Sequence, residues 1–161
     1  MKFDVEAVEN IISSSPRKNG RFNLFFKLND KIGIKLSTTI EQRDENYSNQ
    51  EIAAGYELGP EVYGKIDNVQ YEGESYYGYF TEIVWVITNT RFTPWDIKKM
   101  FMMTFREEFK KLRSDLEKCC HFNFCDDHMG NVGVKDGRIV CIDFDNLEEE
   151  DDRSVGYDPV Y

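Results

Sequence analysis

Apolar and polar residues alternate from Arg21 to Leu28, a stretch rich in Phe, and this period-two pattern predicts a strand. Asn29-Asp30 follows as a tight turn, and Lys31-Ile32-Gly33-Ile34-Lys35-Leu36-Ser37 predicts the next strand. Upstream, Ile11-Ile12 runs into a turn-rich loop from Ser13 to Gly20, so the first third of the chain reads as strands. Ile40 to Ala54 is polar until Ile52, Ala53 and Ala54, which fits a helix with one sparse apolar stripe, stopped by Gly55 to Pro60. Glu61 to Ile66 and Tyr76 to Ile87 predict two further strands. The second is apolar and aromatic throughout and reads as a central strand.

The period then changes. Thr93 can cap a helix, Pro94 suits its first position, and Asp96 stands where a capping box takes an acid. Ile97, Phe101, Phe105, Phe109, Leu112 and Leu116 follow at spacings of three and four, the apolar face of one long helix ending near Cys120. Residues 121 to 131 read as a loop. Val132-Gly133-Val134 and Arg138 to Phe144 read as short strands joined by the turn Lys135-Asp136-Gly137. The remainder, from Asn146 to Tyr161, has no periodicity.

Composition narrows the class. Of 161 residues, 40% are hydrophobic and 14% aromatic, enough for a packed core. The net charge of −10 gives no basic footprint for nucleic acid and disfavours an anionic membrane surface. No apolar run is long enough to span a bilayer, and the first residues do not form a signal peptide. The four cysteines, Cys119, Cys120, Cys125 and Cys141, crowd one late stretch rather than forming a secreted disulfide framework, which predicts a cytoplasmic setting.

The stretch that carries chemistry is Asp126-Asp127-His128-Met129-Gly130-Asn131, followed by Cys141-Ile142-Asp143-Phe144-Asp145. An Asp lies five residues before an Asn, and a second Asp follows a short hairpin. Phosphoryl transfer uses such a set: one carboxylate takes the proton of the attacking hydroxyl, while an amide oxygen and a second carboxylate hold Mg²⁺. Those hard oxygen ligands suit Mg²⁺. Asp126 and Asn131 also suit an ordinary loop, and His128 suits a brace for that loop.

Phe124 to Asn131 resembles the catalytic loop of aminoglycoside and choline phosphotransferases, relatives of the protein kinases, and Ile142-Asp143-Phe144-Asp145 resembles their metal motif. The resemblance implies catalytic base Asp126, metal ligands Asn131 and Asp143, and the cofactors ATP and Mg²⁺. It further implies that Lys35 grips phosphate, that Glu51 pairs with Lys35, and that Ser14 and Ser15 belong to the nucleotide loop. Gly59-Pro60-Glu61-Val62-Tyr63-Gly64 also looks like this family, and Thr81-Glu82-Ile83-Val84 resembles the hinge, with Glu82 and Val84 near adenine. The chain departs from the pattern in Phe124 before the base and Gly133 after the Asn. The implied fold is α+β and two-lobed: an antiparallel sheet plus one helix over about residues 1–87, a shortened, mostly helical lobe over about 88–145, and an acidic tail over 146–161. The implied activity is transfer of the γ-phosphate of ATP to a protein or small-molecule hydroxyl; the alternative is a pseudokinase that binds nucleotide or a partner. A homodimer is compatible with the shortened lobe. A zinc-stabilised module built on Cys119, Cys120, His121, Cys125 and His128 is a third, weaker alternative, because its spacing lacks a paired C-x-x-C.

Overall fold

The computed structural model describes residues 3–15, 23–86, 94–122 and 131–144. They form α1 (Val5–Ser13), β1 (Asn23–Lys27), β2 (Ile32–Ser37), α2 (Ile40–Gly55), β3 (Val62–Tyr71), β4 (Glu74–Glu82), β5 (Trp85–Val86), α3 (Trp95–Thr104), α4 (Arg106–Cys120), β6 (Val132–Lys135) and β7 (Arg138–Cys141). The class is α+β. The chain divides into two compact units, Met1–Glu51 with Glu61–Ile83, and Ile52–Pro60 with Val84–Tyr161.

In the first unit an antiparallel sheet runs in the order β1-β2-β4-β3. The β1–β2 turn is held by Asn29, whose Oδ1 accepts from the Lys31 and Ile32 amides, each at 2.8 Å. The β3–β4 turn uses Glu72 and Gly73, both at positive φ, which matches the right-handed twist of the strands. Glu-Gly is a weaker turn signal than Asn-Gly and does not stand out in the sequence; β3 runs on to Tyr71, past the expected Ile66, and β4 ends at Glu82 instead of Ile87.

The chain begins as a helix, not a strand. Asp4 caps α1 by accepting from the Ala7 amide at 2.7 Å, and Val8 and Ile12, one turn apart, are both fully buried. They pack with Leu24, Phe26, Ile34, Leu36, Ile66, Val69, Tyr76 and Phe80 on one face of the sheet. Period-two alternation sends the intervening residues to the other face. There Phe25, Lys35, Tyr79 and Lys65 lie in one cross-strand row.

The N-terminal part of α2 lies on that second face, and its inward residues are polar: Arg43, Asn46, Asn49 and Gln50 are all 5% exposed or less. This explains the sparse apolar stripe. Arg43 Nη1 donates to the main-chain oxygens of Ile66 (2.9 Å) and Gly78 (3.2 Å) and to Asp67 (2.7 Å). It thereby satisfies carbonyls beside an irregularity in β3 between Ile66 and Val69.

In the second unit, α3, α4 and the sheet β5-β6-β7 surround a core of Met102, Phe109, Leu112, Leu116, Cys120, Phe122, Val132, Cys141 and Phe144, with Ala53 from the last turn of α2. The single long helix expected from Ile97 to Cys120 is interrupted at Phe105, whose φ of −106° and ψ of 22° leave the helical region. The Thr104 hydroxyl donates back to the Met100 carbonyl at 2.8 Å, a bond that bends helices. Pro94 is the cap residue rather than the first helical one, and Thr93 lies outside the described residues. α4 ends at His121 in the left-handed conformation, with the Phe122 amide bonded back to the Leu116 carbonyl at 3.1 Å. Among the described residues, no helix is long and apolar enough to cross a membrane.

Candidate functional site

Lys35 projects from β2 onto the polar face of the first sheet, and its surroundings are defined by α2 and β4. Its Nζ donates to Gln50 Oε1 at 3.1 Å and lies 5.8 Å from the centre of the Tyr79 ring. The same Gln50 oxygen accepts from the Tyr79 hydroxyl at 2.9 Å, and Gln50 Nε2 donates to Thr81 Oγ1 at 2.6 Å. Thr81 Oγ1 in turn lies 3.2 Å from the Glu82 carbonyl and 3.4 Å from that of Glu61. Gln50 is completely buried. The helix residue that meets Lys35 is therefore Gln50, not Glu51. One step along a helix turns the side chain by about 100°, so when Gln50 faces the sheet Glu51 is carried out to solvent, where it is exposed.

Around this network the charges are paired. Lys65 Nζ meets Asp44 Oδ1 at 3.0 Å and lies 5.0 Å from the centre of the Tyr47 ring, which packs edge-on against Tyr79. Arg43 Nε reaches the same Asp44 oxygen at 2.7 Å. The Lys65 hydrogen bond holds the Asp44 carboxyl below its ordinary value; burial opposes this, and Arg43 adds to it.

Ser14 and Ser15 sit at the C-terminal end of α1, with their hydroxyls donating back to the Ile11 carbonyl at 3.1 and 2.9 Å. They close a helix end; residues 16–22 lie outside the described residues. Glu82 ends β4, tied to Glu61 twice: its amide donates to the Glu61 carbonyl at 2.9 Å and its carboxylate accepts from the Glu61 amide at 3.0 Å. Ile83 and Val84 follow outside any strand, and the boundary between the two units falls between them.

In the second unit the β6–β7 hairpin is flanked by the two residues expected to bind metal, Asn131 and Asp143. Val132 pairs with Cys141, and one step further out the Ile142 amide donates to the Asn131 carbonyl at 2.9 Å. This bond brings the main chain of Asn131 beside that of Ile142-Asp143. Asn131 is buried, and Asp143 is partly so. Cys141 Sγ donates to the Asp143 carbonyl at 3.2 Å. Phe144 anchors the far side. It is 1% exposed, and its ring lies where a side chain on Gly59 would begin, 2.8 Å from that position. The Cys141 amide also donates to the Leu58 carbonyl at 2.9 Å. The Gly59-Pro60 pattern and the Asp143-Phe144 motif, remote in sequence, are thus one packed unit, and Gly59 is needed for the close approach. Gly133 has a similar explanation: Val84, Trp85 and Ile142 fill the space a side chain there would take.

Asp126, the expected base, lies outside the described residues, as do Cys125 and His128. Of the remaining cysteine-rich stretch, Cys119 is exposed and Cys120 buried, on different sides of α4. Burial, and then the neighbouring Cys119, push the Cys120 thiol up to about 11, so it is protonated at neutral pH. Among the described residues no three His, Cys, Asp or Glu side chains gather as a metal site.

The chain matches no protein-family profile, no curated protein and no solved structure. Lys35, Gln50, Tyr79 and Thr81 form one polar cluster, and Asn131 and Asp143 share the open end of one hairpin. Sequence reasoning missed Gln50 and Tyr79 and placed Thr81 in a hinge-like stretch rather than beside Gln50. The available signal was Arg43, Asn46 and Gln50, polar residues recurring at the helical spacing where an apolar stripe would normally stand.

Proposed function

We propose that this protein is an ATP- and Mg²⁺-dependent phosphotransferase of the two-lobed protein-kinase-like type, moving the γ-phosphate to a protein or small-molecule hydroxyl. The observation that carries the reading is the Ile142–Asn131 main-chain bond, which sets the main chain of Asn131 beside the residue that precedes Asp143 at one hairpin end, with Phe144 next in the chain and buried. The donor set fits: an amide oxygen and a carboxylate are hard ligands, and Mg²⁺ takes its remaining ligands from phosphates and water. Bound there, Mg²⁺ would neutralise charge on the nucleotide phosphates. The roles of the chain's own residues follow. Asn131 and Asp143 hold the metal, Lys35 binds phosphate, and Asp126 accepts the hydroxyl proton. Support also comes from the order of elements: a lysine on the second strand, a helix that meets it, three more strands, then helices and the hairpin that Asn131 and Asp143 flank.

A second reading, nucleotide binding without transfer, is favoured by one observation: the partner of Lys35 on α2 is the neutral amide of Gln50 rather than an acid. The two readings separate in one experiment. Saturating Mg²⁺-ATP is expected to raise the melting temperature, and Asp143→Ala to remove the Mg²⁺-dependent part of the rise. Transfer of label from γ-phosphate-labelled ATP into the protein or a cell extract is expected for wild type, reduced on the order of 10²-fold in Asp126→Asn, the scale of losing a general base. Binding with no label transfer by wild type would establish the second reading. Melting indifferent to both ATP and Mg²⁺ would remove both.

A further inference from the structure

We infer that Gln50 is the positioning residue for Lys35: the ammonium selects the carbonyl end of its amide, and the Tyr79 and Thr81 hydroxyls complete the hydrogen bonds of that orientation. The inference rests on the phosphate-binding role proposed for Lys35, and it concerns a residue that the sequence pattern assigned to neither site nor core.

An amide can face either way, and here its neighbours decide. The Lys35 ammonium can only donate, so it requires an oxygen. The Tyr79 hydroxyl reaches that same oxygen, Oε1, at 2.9 Å. At the other end Thr81 Oγ1 has the Glu82 and Glu61 carbonyls within 3.2 and 3.4 Å, and neither carbonyl can donate. With the amide carbonyl taken by Lys35, Thr81 directs its proton to a main-chain oxygen and offers a lone pair to Nε2–H at 2.6 Å. Flipping the amide would set Nε2–H₂ against an ammonium, a donor against a donor. Gln50 is completely buried, so water cannot relieve that mismatch. The network thus has one arrangement, and it holds Lys35 Nζ at one place above the Tyr79 ring.

The test reads Lys35 directly and then through ligand. Side-chain ¹⁵N NMR of the intact chain is expected to show one hydrogen-bonded, slowly exchanging Lys35 ammonium signal. Gln50→Leu, close in volume, is expected to abolish it, and Tyr79→Phe to weaken it, with the circular dichroism of the fold retained. ATP titrated by calorimetry is expected to bind Gln50→Leu roughly tenfold or more weakly, the scale of a hydrogen bond to a charged group. In a Lys35→Met background the same Gln50→Leu change is expected to have no further effect, a non-additivity that a merely structural role would not produce. If Gln50→Leu leaves the Lys35 signal unchanged, or lowers ATP affinity equally with and without Lys35, the positioning role is overturned. If the signal depends on Gln50 but wild type and Lys35→Met bind ATP equally, Gln50 still positions Lys35 and the phosphate-binding role of Lys35 fails instead.

Discussion

The two faces of the four-stranded sheet in the first unit are covered by helices of opposite character. On one face α1 presents Val8 and Ile12, fully buried, to Leu24, Phe26, Ile34, Leu36 and Phe80. On the other, α2 presents Arg43, Asn46, Asn49 and Gln50, all buried, and of these Arg43 bonds main-chain oxygens while Gln50 bonds Lys35, Tyr79 and Thr81. Apolar contacts are non-directional and tolerate small shifts, so the α1 face supplies stability without prescribing any one polar geometry. Buried hydrogen bonds are worth little net energy when made and much when lost, so the α2 face supplies a single arrangement of its polar groups. Lys35 belongs to the second face, where position matters more than burial.

The comparison can be broken by mutation, and the largest effect is expected on the apolar face. Ile12→Ala should lower stability by about 3 kcal/mol, since it removes a fully buried side chain and leaves a cavity. Urea unfolding should show the loss while ATP binding by the folded protein is unchanged. A loss below about 1 kcal/mol would mean that α1 can detach without consequence.

Arg43→Met is the matching change on the polar face. It keeps a long apolar stem but strands the Ile66 and Gly78 carbonyls, and it should cost roughly 2 kcal/mol by the same unfolding measurement. A neutral result would show that this face is held by something other than its hydrogen bonds.

Thr81→Val sharpens the contrast, because shape is nearly conserved and only the acceptor for Gln50 Nε2 disappears. The expected loss is about 1–2 kcal/mol, the cost of an unsatisfied buried donor. If the variant is as stable as wild type, water or another acceptor reaches Gln50.

The smallest effect concerns pH. The Lys65 hydrogen bond keeps the native Asp44 carboxyl below its unfolded value near 3.8. The unfolded chain therefore binds the proton first as pH falls. The contribution of Asp44 is complete above about pH 4 and is lost as pH falls through the depressed native value. Asp44→Asn should make stability less steeply dependent on pH below 4, as read from urea midpoints across an acid series. Asp44 is 44% exposed, so solvent screening keeps the change small. A variant with an unaltered acid slope would show that the pair has no influence in solution.

The local elements were largely readable because hydrophobic period reports directly on strand or helix geometry. β1, β2, the α2 segment and the β6–β7 hairpin follow the pattern closely. Two misreadings have local causes. α1 is short and carries only two fully buried residues, so Ile11-Ile12 resembled a strand. The long helical stripe was continuous, but Thr104 bends the chain through a bond that apolar spacing does not register.

By itself the sequence determined the α+β class, the hairpin that Asn131 and Asp143 flank, and the lysine on β2, because these depend on residue type and on neighbours close along the chain. The tertiary structure decided which side chain meets Lys35. Glu51 has the charge that pairing by residue type would choose, yet Gln50 has the azimuth on the helix, and azimuth is set by how α2 lies on the sheet. It also decided that Phe144 would pack at Gly59, a contact between segments more than eighty residues apart in the chain. Period and composition describe one segment at a time, whereas these contacts depend on two segments meeting.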